Sequence, residues 1–186
     1  MKIFHIATLL FGFYLLPNCS VLAQFEIDEP HIQPTWKFKQ SSNPFHTAPI
    51  IFNDQIIALP KNGDIASIDL NNGKELWSKN HKQGVWERSL STGVVNLYYG
   101  TKDKKLCAVK AKTGSEVWCI TLPKNIQRAP LEHNQHLYVV TAELGPGLKG
   151  DKAKSGSIYS INIETGDIVW RKKTKNYAMQ SPIIKG

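Results

Sequence analysis

A pattern of eleven residues recurs along the chain and predicts an all-β fold, a partial propeller of four-stranded antiparallel blades. The tryptophan of this pattern recurs at spacings of 41, 41 and 52 residues. Periods of about 40–50 residues are typical of propellers and solenoids. Each period also contains four short strand-like stretches separated by turn residues, which is the content of one blade.

The pattern consists of a small residue, a polar residue two positions later, a Thr-Gly or Asn-Gly pair, and a tryptophan four positions after the glycine. Glycine can adopt the positive φ that a tight hairpin needs. The polar residue can close the turn with a side-chain hydrogen bond, although Lys110 in the second copy cannot accept one. The tryptophan buries a large area and can wedge one blade against the next. The predicted blade-docking residues are Trp36, Trp77, Trp118, Trp170, Gly73, Gly114 and Gly166.

Residues 34–186 are predicted to form the propeller segment, with about three complete blades and unpaired terminal strands. In the second blade, strands are expected over residues 91–95, 97–101, 105–110 and 115–121. Trp36 is predicted to lie on an outer strand that precedes the first complete blade. The predicted blades span approximately residues 47–82, 88–122 and 128–174.

The N-terminus is typical of a secretory signal peptide. Lys2 precedes an apolar run over residues 3–16, and small or apolar side chains end at Ala23. Residues 1–23 are therefore predicted to be the signal peptide and residues 24–33 a linker, so we expect export to the periplasm or cell envelope. An uncleaved anchor and a lipoprotein attached through Cys19 are the alternatives.

The chain is basic, with 23 Lys and Arg against 15 Asp and Glu, for a net charge of +8. Its lysines cluster on predicted turns and outer strands, which favours a solvated basic surface. No recognition module accompanies them, so nucleic-acid binding is not expected. Contact with an anionic membrane surface or an acidic partner fits the charge.

The repeated motif resembles the pyrroloquinoline-quinone-like (PQQ-like) propeller repeat of quinoprotein dehydrogenases and BamB-type outer-membrane assembly scaffolds. The resemblance covers roughly residues 34–186 and implies seven or eight blades in a complete ring. We therefore expect a fragment, a truncated member, or part of a ring completed by further blades or self-association. The repeat reports blade docking and leaves function open.

Two functions follow from the resemblance. The first is an exported, non-catalytic scaffold without a cofactor, which binds a protein partner in the cell envelope during outer-membrane protein assembly. The alternative is a fragment of a periplasmic dehydrogenase that oxidises an alcohol or sugar with PQQ and calcium. Quinoprotein alcohol dehydrogenases carry two adjacent cysteines beside the cofactor, and this chain has no Cys-Cys pair. The sequence also offers no evident calcium carboxylate set, metal site or catalytic residue.

The register of the second motif hairpin places Cys107 opposite Cys119. An exported protein can oxidise such a pair to a structural disulfide. Two free thiols are the alternative.

Alignment of the repeats also predicts a candidate channel or partner-binding site. The residues that precede each innermost strand line the mouth of a propeller channel, and two arginines there would attract anions. Pairing of these arginines with Glu87 or Glu132 is the alternative. The candidate residues are Thr47, Trp86, Arg88, Arg128 and Gln180.

Overall fold

The computed structural model describes residues 34–37, 47–59, 63–126, 128–142, 155–175 and 180–185. In this part of the chain, twelve strands form three four-stranded antiparallel sheets, which confirms the predicted all-β blades. None of these residues belongs to a helix long and apolar enough to cross a membrane. The predicted signal peptide (1–23), with Cys19, and the linker (24–33) lie outside the described residues.

Blade 1 contains β1 (Ile50–Phe52), β2 (Gln55–Ala58), β3 (Asp64–Asp69) and β4 (Glu75–Asn80). The strands pair in chain order, so β1 is one edge of the sheet and β4 the other. Ile57 and Ile65 are fully buried. Four consecutive residues of β3, from Ile65 to Ile68, are buried, so both faces of this strand are covered.

Blade 2 contains β5 (Ser91–Thr92), β6 (Asn96–Gly100), β7 (Lys105–Lys110) and β8 (Glu116–Thr121). β5 is shorter than the predicted stretch 91–95 because the chain turns there. The Gly93 N–H donates to the Asn96 carbonyl at 2.8 Å, which closes the hairpin.

Blade 3 contains β9 (Leu131–His133), β10 (His136–Ala142), β11 (Gly156–Asn162) and β12 (Ile168–Thr174), again paired in chain order. β12 is exposed along most of its length. The outer strands of blades 1 and 2 are each followed by another blade. Among the described residues, no blade follows β12.

The motif turns close as their side chains predict. The Asp69 carboxylate accepts from the Asn71 and Asn72 N–H groups at 2.8 and 3.1 Å. Asn162 accepts in the same way from Glu164 and Thr165. At the second turn, where Lys110 cannot accept through its side chain, the Gly114 N–H donates to the Lys110 carbonyl at 2.8 Å. The equivalent glycine N–H closes the other two turns at 3.0 Å, so this backbone bond is common to all three turns.

The small residue that opens each motif lies directly opposite the tryptophan. The cross-strand partners are Ser67 with Trp77, Ala108 with Trp118, and Ser160 with Trp170. The register shifts immediately after the small residue in all three sheets. Such a bulge increases the local twist of the strand, and the small residue leaves room for the indole beside it.

Three indoles dock on the glycine of the next turn. A Cβ added to Gly114 would lie 2.6 Å from the Trp77 ring, and the corresponding distance from Gly73 to the Trp36 ring is 2.5 Å. Trp118 contacts Gly166 in the same manner, at 2.9 Å. Each indole Nε1 also donates a 2.9 Å hydrogen bond to a backbone carbonyl near that turn, from Leu70, Ala111 or Ile163. Only glycine allows this approach.

Trp170 differs from the other motif tryptophans. No turn follows blade 3 among the described residues, and 45% of this side chain is exposed. Its ring lies 6.1 Å from that of Tyr138 on the same blade. Its docking role stays a prediction.

Two apolar cores lie between the blades. Leu97, Tyr99 and Val109 of blade 2 face blade 1, with Ile57 and Ile65 opposite them. The alternate residues face blade 3; they include Tyr98, Leu106 and Ala108, which pack with Leu137 and Tyr159. β6 is consequently buried on both faces. The cores therefore join blades in succession.

Cys107 and Cys119 form a disulfide across β7 and β8, in the predicted register. Both cysteines pack in the core between blades 1 and 2, beside Trp77. The hairpin that they close carries Ala111 and Gly114, which receive the Trp77 indole. The disulfide thus braces this docking site.

Replacing Trp77 with alanine should lower the free energy of unfolding by about 3 kcal/mol, because a docked ring and its hydrogen bond are lost. Trp170→Ala is the matched control and should cost at most about 1 kcal/mol, since that ring docks on no turn. Denaturant unfolding measures both values. Equal losses would contradict the docking role of Trp77, and Trp77→Phe provides a milder variant if alanine prevents folding.

Reduction of the disulfide should destabilise the protein by about 2–3 kcal/mol, since the cross-link closes a loop with a sequence separation of 12. The measurement is a thermal melt with and without dithiothreitol. Cys107→Ala combined with Cys119→Ala is the control and should melt at the same temperature in both buffers. If the melting temperature of the wild type is the same with and without dithiothreitol, the disulfide contributes nothing to stability.

Candidate functional site

The predicted site residues precede the innermost strands at a constant offset. Thr47, Arg88 and Arg128 each lie three positions before the first residue of β1, β5 and β9. Gln180 has the same predicted offset, but residues 181–185 form no strand in the structure. These loops share one end of the blades with the turn between β6 and β7.

A cavity of about 280 Å³ lies at this end of blades 2 and 3. We call it the mouth cavity; its lining residues are Trp86, Glu87, Arg88, Lys102 and Arg128. The structure thus brings together three of the predicted residues, namely Trp86, Arg88 and Arg128. Thr47 lies in an adjoining hollow that Arg88 and Glu87 also line. Gln180 lies apart, against Tyr138 and Val140 of blade 3.

Backbone hydrogen bonds hold the loop that carries Trp86 against the β6–β7 hairpin. The Trp86 N–H donates to the Gly100 carbonyl at 2.8 Å, and the Lys102 N–H donates to the Gly84 carbonyl at 2.9 Å. Gly84 has a φ of +80°, which suits glycine in this turn. This part of the mouth cavity is therefore a paired, fixed segment of backbone.

Ser89 fixes the same loop from inside. Its side chain is fully buried, and its hydroxyl donates to the Trp86 carbonyl at 2.6 Å. The hydroxyl also accepts from the Gly100 N–H at 2.9 Å. A buried hydroxyl with both bonds made positions the backbone on either side of it, so Arg88 has a defined place at the rim.

Blade 3 reaches the mouth cavity through a close approach at Gly100. A Cβ added there would collide with the Ile126 carbonyl oxygen. Because glycine permits this contact, Ile126 lies beside the β6–β7 hairpin of blade 2. The two arginines therefore line one cavity although they are 40 positions apart in the sequence.

Lys102 is a lining residue that the sequence did not single out for this site, whereas Glu87 was named only as an alternative partner of the arginines. The lysine cluster around residues 102–105 predicted only a solvated surface. The isolated bridge between Val85 and Thr101 brings the hairpin turn next to the Trp86 loop. The Lys102 ammonium lies 5.9 Å from the centre of a Trp86 ring, a cation–π distance.

The mouth cavity carries excess positive charge. Arg88, Lys102 and Arg128 contribute three cations and Glu87 one carboxylate, so the lining has a formal charge of +2. Glu132, the other carboxylate considered as an arginine partner, accepts from the Tyr98 hydroxyl at 2.6 Å and the Val94 N–H at 3.2 Å. Burial, and secondly this hydrogen bond, raises the pKa of Tyr98, which therefore stays a neutral donor.

Metal-ligating side chains do not cluster among the described residues. No group of three or more His, Cys, Asp or Glu side chains in this part of the chain could hold a metal ion. His133 and His136 are cross-strand neighbours at the β9–β10 turn, without a third ligand there. The two cysteines lie on different strands of the inter-blade core and do not line the mouth cavity.

Comparison with known proteins identifies the fold family. A family model described as "Outer membrane protein assembly factor BamB" matches residues 34–185. The chain belongs to this family. Among curated BamB-family relatives, the outer membrane protein assembly factor BamB of Moranella endobia (strain PCIT) is 28% identical over 144 residues, which covers 77% of this chain and 34% of the relative.

Dehydrogenases are also similar to this BamB-family chain. The dehydrogenase subunit of the quinone alcohol dehydrogenase from Gluconobacter oxydans (strain 621H) is 28% identical over 144 residues, covering 66% of this chain and 18% of the relative. A europium-containing methanol dehydrogenase superposes with a TM-score of 0.59 at 18% identity, covering 76% of this chain and 27% of that one. At 18% identity, the similarity to the methanol dehydrogenase shows only that the two chains share a fold. The chain spans about a third or less of the length of these curated relatives.

His81, the first residue after β4, makes stability depend on pH. Its Nε2 lies 2.8 Å from the Tyr99 hydroxyl, and the two rings meet edge-on with centroids 5.0 Å apart. Burial, followed by the charge of Lys79, lowers the pKa of His81 below its usual 6.5. The unfolded chain thus binds this proton more readily than the folded chain.

The free energy of unfolding should therefore fall as the pH is lowered through about 6.5, where the unfolded His81 becomes protonated. Urea unfolding at a series of pH values between neutral and mildly acidic measures the effect. His81→Gln should flatten this dependence, because it removes the imidazole and keeps a polar side chain of similar size. An identical pH slope in wild type and His81→Gln would show that other groups cause it.

Proposed function

We propose that the chain is part of an exported, non-catalytic propeller scaffold that binds a protein partner in the cell envelope during outer-membrane protein assembly. The family match over residues 34–185 carries this proposal. The protein of Moranella endobia that resembles it bears the name of an assembly factor. Rigid blades that present their loops at one end suit a binding platform.

Several features of the chain support export and attachment at the envelope. The signal-peptide pattern of residues 1–23 predicts secretion, and a disulfide between Cys107 and Cys119 suits an oxidising compartment. Lipid attachment at Cys19 is the further proposal for anchoring. Arg171, Lys172 and Lys173 are exposed on β12 and would favour contact with an anionic membrane surface.

The open side of blade 3 supports completion of the ring by further blades or by self-association. Ile168, Val169 and Trp170 are each about half exposed on its outer strand. Exposed apolar side chains on a sheet edge favour association. Trp170 would then dock on the turn of the blade that covers it.

A second candidate function is a fragment of a periplasmic dehydrogenase that oxidises an alcohol or sugar with PQQ and calcium. The similarity to the Gluconobacter oxydans subunit favours it. Against it stands the chemistry of the described residues, which include no cluster of metal-ligating side chains. We therefore prefer the scaffold.

Addition of PQQ and calcium to the purified protein should produce neither a saturable change in absorbance nor dye-linked oxidation of alcohols or sugars. The physical reason is that the described residues include no cluster of three or more His, Cys, Asp or Glu side chains, from which calcium usually takes its carboxylate ligands. A quinoprotein dehydrogenase in the same assay is the positive control. Saturable binding with turnover would overturn the non-catalytic proposal.

A photo-cross-linking amino acid at Gln83, which is exposed in the loop between β4 and β5, tests the scaffold function directly. In the native envelope, it should give a discrete product with a protein of the outer-membrane assembly machinery, identified by mass spectrometry. The same group at Lys112, in the motif turn at the other end of blade 2, is the matched control. Absence of any product with an assembly protein from either position would contradict the proposal.

A further inference from the structure

We propose that the mouth cavity binds an extended acidic peptide segment, with two or more carboxylates placed on Arg88, Lys102 and Arg128. This inference rests on the proposed function, because it specifies which part of the protein partner the scaffold would hold. It starts from a cavity of about 280 Å³ with three cations and one carboxylate in its lining.

The cations come from three separate segments of the chain. Arg88 lies in the loop before β5, Lys102 in the turn between β6 and β7, and Arg128 in the loop before β9. Charges distributed in this way suit several carboxylates spaced along an extended chain, which advances about 3.3 Å per residue. Arginine also binds a carboxylate through two parallel hydrogen bonds.

The backbone of the mouth cavity argues against a phosphate group as the ligand. Phosphate sites in proteins commonly use free backbone N–H groups that converge on the anion. Here the N–H groups of Trp86, Ser89 and Lys102 already donate to the carbonyls of Gly100, Trp86 and Gly84. The three cationic side chains of the lining can therefore spread over a longer ligand.

Trp86 and Glu87 add features that a peptide can use. The Trp86 ring lies beneath the Lys102 ammonium and is partly exposed, so it can contact an aliphatic or aromatic side chain of the ligand. Glu87 is the one acidic side chain in the lining and can accept a peptide N–H. A planar membrane surface would meet the exposed basic residues of β12 more easily than a concave cavity.

The test uses fluorescence anisotropy of a fluorescein-labelled eight-residue peptide that contains three glutamates, titrated with the full chain at low ionic strength. Arg88→Gln combined with Arg128→Gln should weaken binding about tenfold or more, because two charge-assisted contacts are lost. Lys172→Gln combined with Lys173→Gln removes the same charge from β12. This matched control should change the affinity less than about twofold.

Arg88→Gln alone provides a second variant, because its side chain is exposed and its replacement should leave the melting temperature unchanged. It should still weaken peptide binding measurably. A peptide with glutamines in place of glutamates should not bind. An equal loss of peptide affinity in the Arg88/Arg128 variant and in the Lys172/Lys173 variant would overturn the proposal in favour of non-specific charge attraction.

Two further experiments distinguish an acidic peptide from other anionic ligands. Displacement of the peptide by inorganic phosphate at equal charge concentration would overturn the proposal in favour of a phosphate site. Binding to phosphatidylglycerol vesicles that the mouth variant loses and the β12 variant keeps would overturn it in favour of a membrane contact. The inference and the scaffold function can fail separately. If the peptide does not bind the wild-type protein, but Gln83 still cross-links to an assembly protein when Arg88→Gln and Arg128→Gln are both present, this inference fails and the scaffold function stands. Peptide binding at the mouth without any cross-link would support this inference while contradicting the scaffold function.

Discussion

The contact between an indole and the glycine turn of the following blade is the constraint on which the rest of the structure depends. Trp36, Trp77 and Trp118 each occupy the space that a Cβ on that glycine would fill. Each also donates to a carbonyl near the same turn. The contact fixes both the distance and the rotation between successive blades, since the ring and its hydrogen bond must be satisfied together.

The placement of the mouth cavity follows from this constraint. Once blades 2 and 3 are docked, Gly100 meets the Ile126 carbonyl, and Arg128 lies beside the β6–β7 hairpin. Internal bonds of Ser89 then fix the loop that carries Arg88. The cavity thus forms from side chains held by packing elsewhere, which suits a platform for binding. The same docked blades leave Trp170 about half exposed on blade 3.

Much of the fold could be predicted from the sequence because the repeated motif encodes local geometry. The Thr-Gly and Asn-Gly pairs specify turns, and the register that follows from them places Cys107 opposite Cys119. The offset from each tryptophan also located Arg88 and Arg128, which the structure brings into one cavity. Lys102 was missed since its place depends on a bridge between Val85 and Thr101, a contact that no repeat pattern records. Gln180 was grouped with the mouth on offset alone, yet the strand that would position it is absent from residues 181–185.

The most direct measurement is a double-mutant cycle between Trp77 and Gly114. Gly114→Ala in the wild type forces a methyl group into the indole and adds strain at a φ of +68°, whereas in the Trp77→Ala background only the strain remains. If the docking contact locks the blades, the two substitutions will be coupled by about 1–3 kcal/mol in the free energy of unfolding. Additive effects of the two substitutions would contradict this account.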